Sequence, residues 1–228
     1  VLTITNVNDA PTVASAIADA STAEDAAYSL DASGTCTDVD ASTTLSYSIS
    51  GAPSTITATT AGVISGTPTN ANVGAHTITV TCSDGALTAS DQYVLTVTNV
   101  NDAPTVASAI DDVSTAEDAA YSLDASGTCT DVDASTTLSY SISGAPSTIT
   151  ATTAGVISGT PTNANVGAHT ITVTCSDGAL TASDQYVLTV TNVNDAPTVA
   201  NAIADASTAE DAAYSLDASG TCTDVDAS

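Results

Sequence analysis

A nine-residue string, NVNDAPTVA, occurs three times in the chain at intervals of 93 residues, beginning at Asn6, Asn99 and Asn192. The two complete copies of the period differ at only two positions. Solenoid units are usually about 20–50 residues long, so this period is typical of a small domain repeated in tandem. Nearly identical copies also favour a chain of equal links over a catalyst, which needs one specialised site.

The period divides the 228 residues into four predicted segments. Residues 1–10 are predicted to be the last strand and linker of a preceding repeat. Residues 11–103 and 104–196 are predicted to be complete repeats, and residues 197–228 the N-terminal part of a further repeat. We therefore expect the chain to be part of a longer polymer of such repeats.

The chain carries 26 acidic residues and neither Lys nor Arg, for a formal net charge of −26. This charge excludes nucleic acids and anionic membrane surfaces as partners, because both are bound through basic side chains. No apolar run reaches the length of about 18 residues that crosses a bilayer, so we expect no membrane insertion. A mean hydropathy of +0.21 argues against a disordered chain.

Apolar and polar residues alternate in short runs separated by turn residues, most clearly at positions 45–50, 76–82 and 93–98. A period of two residues is typical of half-buried β-strands. The sequence therefore predicts an all-β fold of tandem Greek-key β-sandwich domains, with about seven strands per repeat, all antiparallel, in two sheets. Residues 21–24 also match a helix capping box, which leaves a short helix as an alternative there.

The cysteines recur with the repeat, and within each complete repeat two of them are 46 residues apart. Both cysteines share the alternate positions of the apolar residues in their strands, so both should face the core. The sequence therefore predicts the disulfides Cys36–Cys82 and Cys129–Cys175. Buried free thiols are the alternative. Closing such a loop stabilises a domain by about 4 kcal/mol in the chain-entropy model. This would help a core without Phe, Trp or Met, and it would imply an extracellular, oxidising location.

Carboxylates gather after the predicted strands. Asp38 and Asp40 follow an early strand, Asp84 follows a late one, and Asp102 lies in the junction. In a Greek-key sandwich these loops share one pole with the incoming linker, so we expect the carboxylates to lie close together. Oxygen ligands in flexible loops suit Ca²⁺. The alternative is that these residues are turn formers in Asx-turns.

The order of these motifs resembles a cadherin repeat. The stretch GVISGTP at 62–68 and 155–161 is similar to the dystroglycan-type cadherin-like and immunoglobulin-like repeats of large prokaryotic surface proteins. The resemblance covers essentially the whole chain and implies Ca²⁺ at each domain junction. The Asp-Arg-Glu motif of cadherins is absent, and Asn99 stands where Asp is usual, so one or two ions per junction are expected.

The resemblance also implies a ligand set for each junction. The first would use Asn8, Asp9, Asp38, Asp40 and Asp84. The middle one would use Asn101, Asp102, Asp131, Asp133 and Asp177, with Glu24 and Asn99 as further candidates. The third would use Asn194, Asp195, Asp224 and Asp226, with Glu117 from the preceding repeat as a further candidate.

These features predict a structural repeat unit of an extracellular filament or surface-protein stalk. Its expected partners are other copies of the chain or neighbouring repeats. Ser and Thr make up roughly a third of the chain, a composition that suggests O-linked glycans. The alternative function is an adhesin or carbohydrate-binding module whose repeats contact the ligand directly.

The sequence contains no nucleophile, phosphate-binding or metalloprotease motif, so we do not expect the chain to be an enzyme. His76 and His169 are expected to be structural.

Overall fold

A computed structural model describes residues 1–40, 43–133 and 136–226. The chain forms two compact units, Val1–Asn101 and Asp102–Ser228. The last two residues of the predicted segment 197–228 lie outside the described residues. The predicted domain boundaries stay predictions.

Among its described residues, the first unit contains nine strands and one 3₁₀ turn, Asn70–Asn72. The strands are β1 (Thr12–Val13), β2 (Ala20–Ala23), β3 (Tyr28–Asp31), β4 (Cys36–Thr37), β5 (Ser46–Ser50), β6 (Ile56–Ala58), β7 (Val63–Gly66), β8 (Gly74–Ser83) and β9 (Thr88–Thr98).

The second unit repeats this series and adds two short strands, with its 3₁₀ turn at Asn163–Asn165. Its strands are β10 (Thr105–Val106), β11 (Val113–Ala116), β12 (Tyr121–Asp124), β13 (Cys129–Thr130), β14 (Ser139–Ser143), β15 (Ile149–Ala151), β16 (Val156–Gly159), β17 (Gly167–Ser176), β18 (Thr181–Thr191), β19 (Thr198–Val199) and β20 (Cys222–Thr223).

Seven strands of each repeat form the two sheets of a sandwich. In the first unit the four-stranded sheet has the order β2-β9-β8-β5 and the three-stranded sheet the order β3-β7-β6, while β1 and β4 form a separate ribbon. The second unit has the equivalent sheets β11-β18-β17-β14 and β12-β16-β15 and the ribbons β10-β13 and β19-β20. The predicted all-β sandwich fold is confirmed.

The prediction that all strands are antiparallel was wrong, because β2 runs parallel to β9, with Ala20 opposite Leu95 and Ala23 opposite Thr98. Strand alternation reveals which face of a strand is buried, but not which distant strand becomes its neighbour. The same pairing decides against the short helix proposed for residues 21–24. Residues up to Ala23 join the ladder with β9, and the N–H of Glu24 donates to the carbonyl of Thr98 at 3.0 Å.

The core of the first unit lies between the two sheets and is built from Ile, Val, Leu and Tyr. Tyr93, Leu95 and Val97 alternate inward along β9 and are almost fully buried. The hydroxyl of Tyr28 donates to that of Tyr93 at 3.2 Å, and burial raises the pKa of Tyr93. Tyrosine thus supplies the bulk that Phe and Trp would otherwise provide, with its polar end satisfied inside the core.

A disulfide joins the ribbon to the four-stranded sheet in each repeat. Cys36 of β4 is bonded to Cys82 of β8, and Cys129 is bonded to Cys175. This confirms the predicted pairing against the alternative of free thiols. Cys222 is an exposed free cysteine.

The segments outside the two complete repeats contain little regular structure. Residues 1–10, the predicted last strand and linker of a preceding repeat, form no strand. The matching residues of the first repeat lie between β2 and β8, and no such neighbours flank residues 1–5 in the described structure. No helix among the described residues has the length and apolar character needed to cross a membrane.

Candidate metal site

A buried glutamate follows the first strand of the four-stranded sheet in each unit. Glu24 and Glu117 are each 2% exposed. Both are followed by an aspartate in the left-handed region, Asp25 at φ 55° and Asp118 at φ 57°, a conformation that Asp tolerates better than most residues. This turn ends the strand and leaves the glutamate at the pole of the sandwich.

Among the described residues, only one of the two oxygens of each of these carboxylates has a hydrogen-bond partner. Oε1 of Glu24 accepts a hydrogen bond from the N–H of Val100 at 2.8 Å. Oε1 of Glu117 accepts the equivalent bond from Val193, also at 2.8 Å. The Oε2 atoms of both glutamates are buried and have no hydrogen-bond partner among the described residues. A buried carboxylate oxygen without a partner costs free energy, so a group that binds it would stabilise the folded chain.

In the second unit Glu117 belongs to a carboxylate cluster. One oxygen from each of Glu117, Asp195 and Asp226 lies within 4.8 Å of the others. The cluster is held by the backbone, because the N–H of Asp195 donates to Oδ2 of Asp226 at 2.6 Å. Oδ1 of Asp224 in turn accepts a bond from the N–H of Asp226 at 2.9 Å.

The cluster is electrostatically unfavourable on its own, since the chain contains no Lys or Arg to neutralise it. Desolvation is the largest cause of a raised pKa at Asp195, followed by the charges of Asp226, Asp118, Glu117 and Asp224. The donor set consists of oxygen atoms, carries excess negative charge and includes one buried oxygen without a partner in the described part of the chain. Such a set fits a hard divalent cation.

At the opening of the first repeat, the predicted ligands also lie together within the first unit. The side-chain amide of Asn8 donates to Oδ2 of Asp84 at 2.9 Å, and the N–H of Asp9 donates to Oδ2 of Asp40 at 2.8 Å. Oδ1 of Asp38 accepts a bond from the N–H of Asp40, while its Oδ2 is buried without a partner among the described residues. The incoming linker is therefore fastened to both loops.

The opening of the second repeat has the equivalent arrangement. The N–H of Asp102 donates to Oδ2 of Asp133 at 2.8 Å. Oδ1 of Asp131 accepts a bond from the N–H of Asp133, and its Oδ2 is buried without a partner among the described residues.

Asp84 and Asp177 form the Asx-type turns that the alternative interpretation proposed. Oδ1 of Asp177 accepts bonds from the N–H groups of Ala179 and Leu180 at 2.6 and 2.7 Å. Equivalent bonds, that from Leu87 first, lower the pKa of Asp84. A turn role and a ligand role are compatible here, because each turn uses only one of the two carboxylate oxygens.

Other predicted ligands lie at the surface. Asn99 and Asn101 are exposed, and the side chain of Asn194 donates to the carbonyl of Asp195 at 3.0 Å. Nε2 of His76 lies 2.7 Å from the carbonyl oxygen of Asn72, in keeping with its expected structural role.

Sequence reasoning missed two residues near the cluster. Asp118 contributes to the raised pKa of Asp195, and the side chain of Asn163 lies 3.4 Å from Oδ1 of Asp226. The recurring Glu-Asp pair and the recurring Asn-Ala-Asn string could have drawn attention to both.

The fold and the polar clusters define a tandem array of disulfide-bonded β-sandwich repeats. The sequence profile of the family described as "Putative Ig domain" matches residues 10–98 and 103–191. The chain therefore belongs to this immunoglobulin-like family, and the predicted resemblance to cadherin-like and Ig-like repeats is confirmed.

Solved cadherin structures share the fold. The structure of Drosophila N-cadherin EC1-4 is 15% identical with a TM-score of 0.52, and the match covers 81% of this chain and 50% of that chain. Human CDH23 EC21-23 is 17% identical with a TM-score of 0.52, covering 78% and 68% of the two chains. At this level of identity the likeness shows the fold alone.

An endo-fucoidan hydrolase of glycoside hydrolase family 107 is 22% identical, with a TM-score of 0.40 that carries no argument about activity. The match covers 81% of this chain and 29% of the hydrolase chain. This chain thus spans half of the N-cadherin chain and less than a third of the hydrolase chain. No curated protein sequence matches it.

Proposed function

We propose that the chain is a structural repeat unit of an extracellular stalk or filament, closed by a disulfide within each repeat and stiffened by Ca²⁺ at its carboxylate clusters. Two properties support the structural role: the repeats are nearly identical, so no copy is specialised, and each complete repeat has its own buried disulfide. The disulfides also support an extracellular location.

The observation that carries the calcium proposal is Oε2 of Glu117, which is buried beside Asp195 and Asp226 and has no hydrogen-bond partner among the described residues. Bound Ca²⁺ would supply positive charge and coordination to six to eight oxygen atoms. Glu117, Asp195 and Asp226 would hold it in the second unit. Asp131, whose Oδ2 is also buried without a described partner, extends the proposal to the opening of the second repeat.

Binding at this cluster would join segments that are far apart in sequence. Glu117 follows β11, Asp195 follows β18, and Asp226 follows β20. Without a cation, the negative charges of the three side chains repel one another and favour separation of the segments. With a cation, the same charges hold the segments together. Calcium concentration would therefore control stiffness within this unit.

A carbohydrate-binding function has less support. Six of the seven tyrosines are buried in the two cores, and Tyr214 is the exposed one. The described surface thus offers no set of aromatic side chains on which sugar rings could stack. We also propose no catalytic role, because the two complete repeats are nearly identical and neither is specialised.

Thermal unfolding of the oxidised chain in Ca²⁺ and in EGTA tests the proposal. A cation that binds only the folded state adds about 2.7 kcal/mol at a concentration a hundredfold above Kd. We expect Tm to rise with Ca²⁺ and to rise less with Mg²⁺, which prefers a rigid octahedral shell. Equal Tm values in Ca²⁺ and EGTA would remove calcium from the proposed function and leave the disulfide-bonded repeat.

A further inference from the structure

Each unit has a groove in its surface. In the second unit the groove is lined by the segment that leads into β11, by the end of β12 and by the turn that follows β12. Its volume is about 470 Å³, within the range of about 300–1,000 Å³ that is typical of ligand sites. The equivalent groove of the first unit measures about 320 Å³. The lining residues are 15–18, 30–31 and 34–35 in this first groove, and 108–113, 123–124 and 127–128 in the second groove.

The second groove has an apolar floor. Ile110, Val113 and Leu123 line it, and all three are half-buried and pack against the hydrophobic core of the unit. Part of each side chain therefore remains in contact with water. An apolar side chain placed over them would remove apolar surface of both partners from water, which favours binding.

Three carboxylates line the same groove. They belong to Asp111, Asp112 and Asp124, which are exposed. Oδ1 of Asp112 accepts a hydrogen bond from the N–H of Val187 at 2.7 Å. Oδ1 of Asp124 accepts one from the N–H of Ser126 at 2.9 Å. Each bond holds its side chain in place through one oxygen, so the other oxygen can accept a hydrogen bond from a ligand.

Both positions at which the complete repeats differ lie in this groove. Asp111 stands where the first repeat has Ala18, and Val113 stands where it has Ala20. The first change adds a carboxylate, the second adds two methyl groups, and both side chains line the second groove. The remaining positions of the period are identical. The two copies thus differ in the charge and in the apolar surface of one groove.

The charge of the chain restricts what can occupy the second groove. The chain contains no Lys or Arg, so neither its own segments nor a second copy can bring such a side chain to the three carboxylates. Acidic segments and other anions are repelled. A peptide segment in which Lys or Arg stands beside an apolar side chain matches both properties. Its cation would make charge-assisted hydrogen bonds to the carboxylates, and its apolar side chain would cover the floor.

We propose that the second groove binds a basic, partly apolar segment of another protein, with Asp111, Asp112 and Asp124 contacting its cations and Val113 its apolar side chain. The first groove has the same architecture but lacks the equivalents of Asp111 and Val113, so it binds such a segment more weakly. The proposal goes beyond the stalk function. It requires no metal, so it can fail or succeed independently of the calcium site.

Isothermal titration calorimetry of the oxidised full chain in EDTA, with the synthetic peptide LKLKLK as the probe, tests the proposal. The peptide SKSKSK keeps the charge without the apolar side chains, and LELELE reverses the charge. We expect one site per chain for LKLKLK, an affinity for SKSKSK at least about tenfold lower, and no binding of LELELE. Equal affinity for SKSKSK would show general attraction to the acidic chain and overturn the proposal. Displacement of LKLKLK by an equal concentration of spermidine would assign the groove to a small polyamine and also overturn it.

Exchanging the two differing residues locates the binding. The double variant Asp111→Ala and Val113→Ala gives the second groove the residues of the first, and we expect at least about a fivefold loss of affinity for LKLKLK. The reverse exchange, Ala18→Asp and Ala20→Val, should create a second site of similar affinity. Each variant carries residues that the other repeat has naturally, so both should fold, which circular dichroism verifies.

Asp205→Ala is the control for net charge, because Asp205 is exposed and lies outside both grooves. This variant should bind LKLKLK like the parent chain. Equal losses of affinity in Asp205→Ala and in the Asp111→Ala and Val113→Ala variant would overturn the proposal. An unchanged number of sites after the reverse exchange would overturn it as well.

Discussion

Oε1 of Glu117 accepts a hydrogen bond from the backbone N–H of Val193 at 2.8 Å, across 76 residues of sequence. Glu24 and Val100 repeat the contact in the first unit. The bond fixes the glutamate side chain against the segment that leaves the last strand of the sandwich. Its other oxygen is buried and unpartnered among the described residues, which makes this glutamate the position where loss of a charge should matter most for cation binding.

Replacing Glu117 by Gln should remove one calcium-binding step. The amide keeps the size of the side chain and one acceptor oxygen but loses the charge that attracts Ca²⁺. We expect at least a tenfold loss of affinity at this site, equal to about 1.4 kcal/mol, measured by isothermal titration calorimetry. Glu210→Gln is the matched control, because Glu210 occupies the same position of the repeat but is exposed. Unchanged binding in the Glu117 variant would contradict the assignment.

The metal-free chain should become more stable when Asp195 is replaced by Asn. Desolvation and neighbouring carboxylates raise the pKa of Asp195 in the folded state, so the folded chain binds this proton more tightly than the unfolded chain does. Ionisation of Asp195 therefore opposes folding above the folded pKa, and the penalty disappears below the ordinary pKa. We expect Asp195→Asn to raise Tm in EGTA at pH 7 and to leave it unchanged near pH 3.

Asp124→Asn should lower Tm at pH 7, the opposite of the change expected for Asp195→Asn, and serves as the control. The side chain of Ser126, followed by its N–H, lowers the pKa of Asp124. Its charge thus favours folding above the ordinary pKa, and this contribution is lost as the pH falls through the folded pKa. Equal shifts of Tm for the two variants would show that net charge, and not the local cluster, controls stability.

Removing one disulfide should destabilise its own repeat. For a loop closed across 46 residues, the chain-entropy model predicts a loss of about 4 kcal/mol on replacing Cys36 and Cys82 by Ala. Chemical denaturation measures the change. Cys222→Ala is the control, because this thiol is exposed and unbonded. A double variant as stable as the parent would mean that the bridge adds nothing to folding.

Gly66 tests the packing of the three-stranded sheet. A Cβ atom at this position would lie 1.9 Å from the carbonyl oxygen of Thr55, whereas one at Gly34 would meet nothing within 4 Å. We expect Gly66→Ala to cost at least about 2 kcal/mol, because the backbone must move. Gly34→Ala should change the free energy of unfolding by less than about 0.5 kcal/mol. Equal effects at both glycines would contradict this strand arrangement.

Local patterns predicted much of the fold. The alternation that ends in Tyr93, Leu95 and Val97 identified a buried strand, and the shared parity of Cys36 and Cys82 identified a disulfide. Neither pattern contained the parallel pairing of β2 with β9, because a strand's own residues do not specify which distant strand becomes its neighbour, and Ala20 pairs with Leu95, 75 residues later.

The sequence by itself determined the repeat, the all-β class, the recurring cysteine spacing and the excess of negative charge, since all four follow from spacing and residue type. Only the tertiary structure decided that Glu117, ranked behind the junction aspartates by sequence, is the buried member of the cluster. It also decided that Asp91 accepts a hydrogen bond from the N–H of Ile17, 74 residues earlier in the sequence. Burial and direction depend on which distant segments pack around a side chain, and that information is spread over the whole repeat.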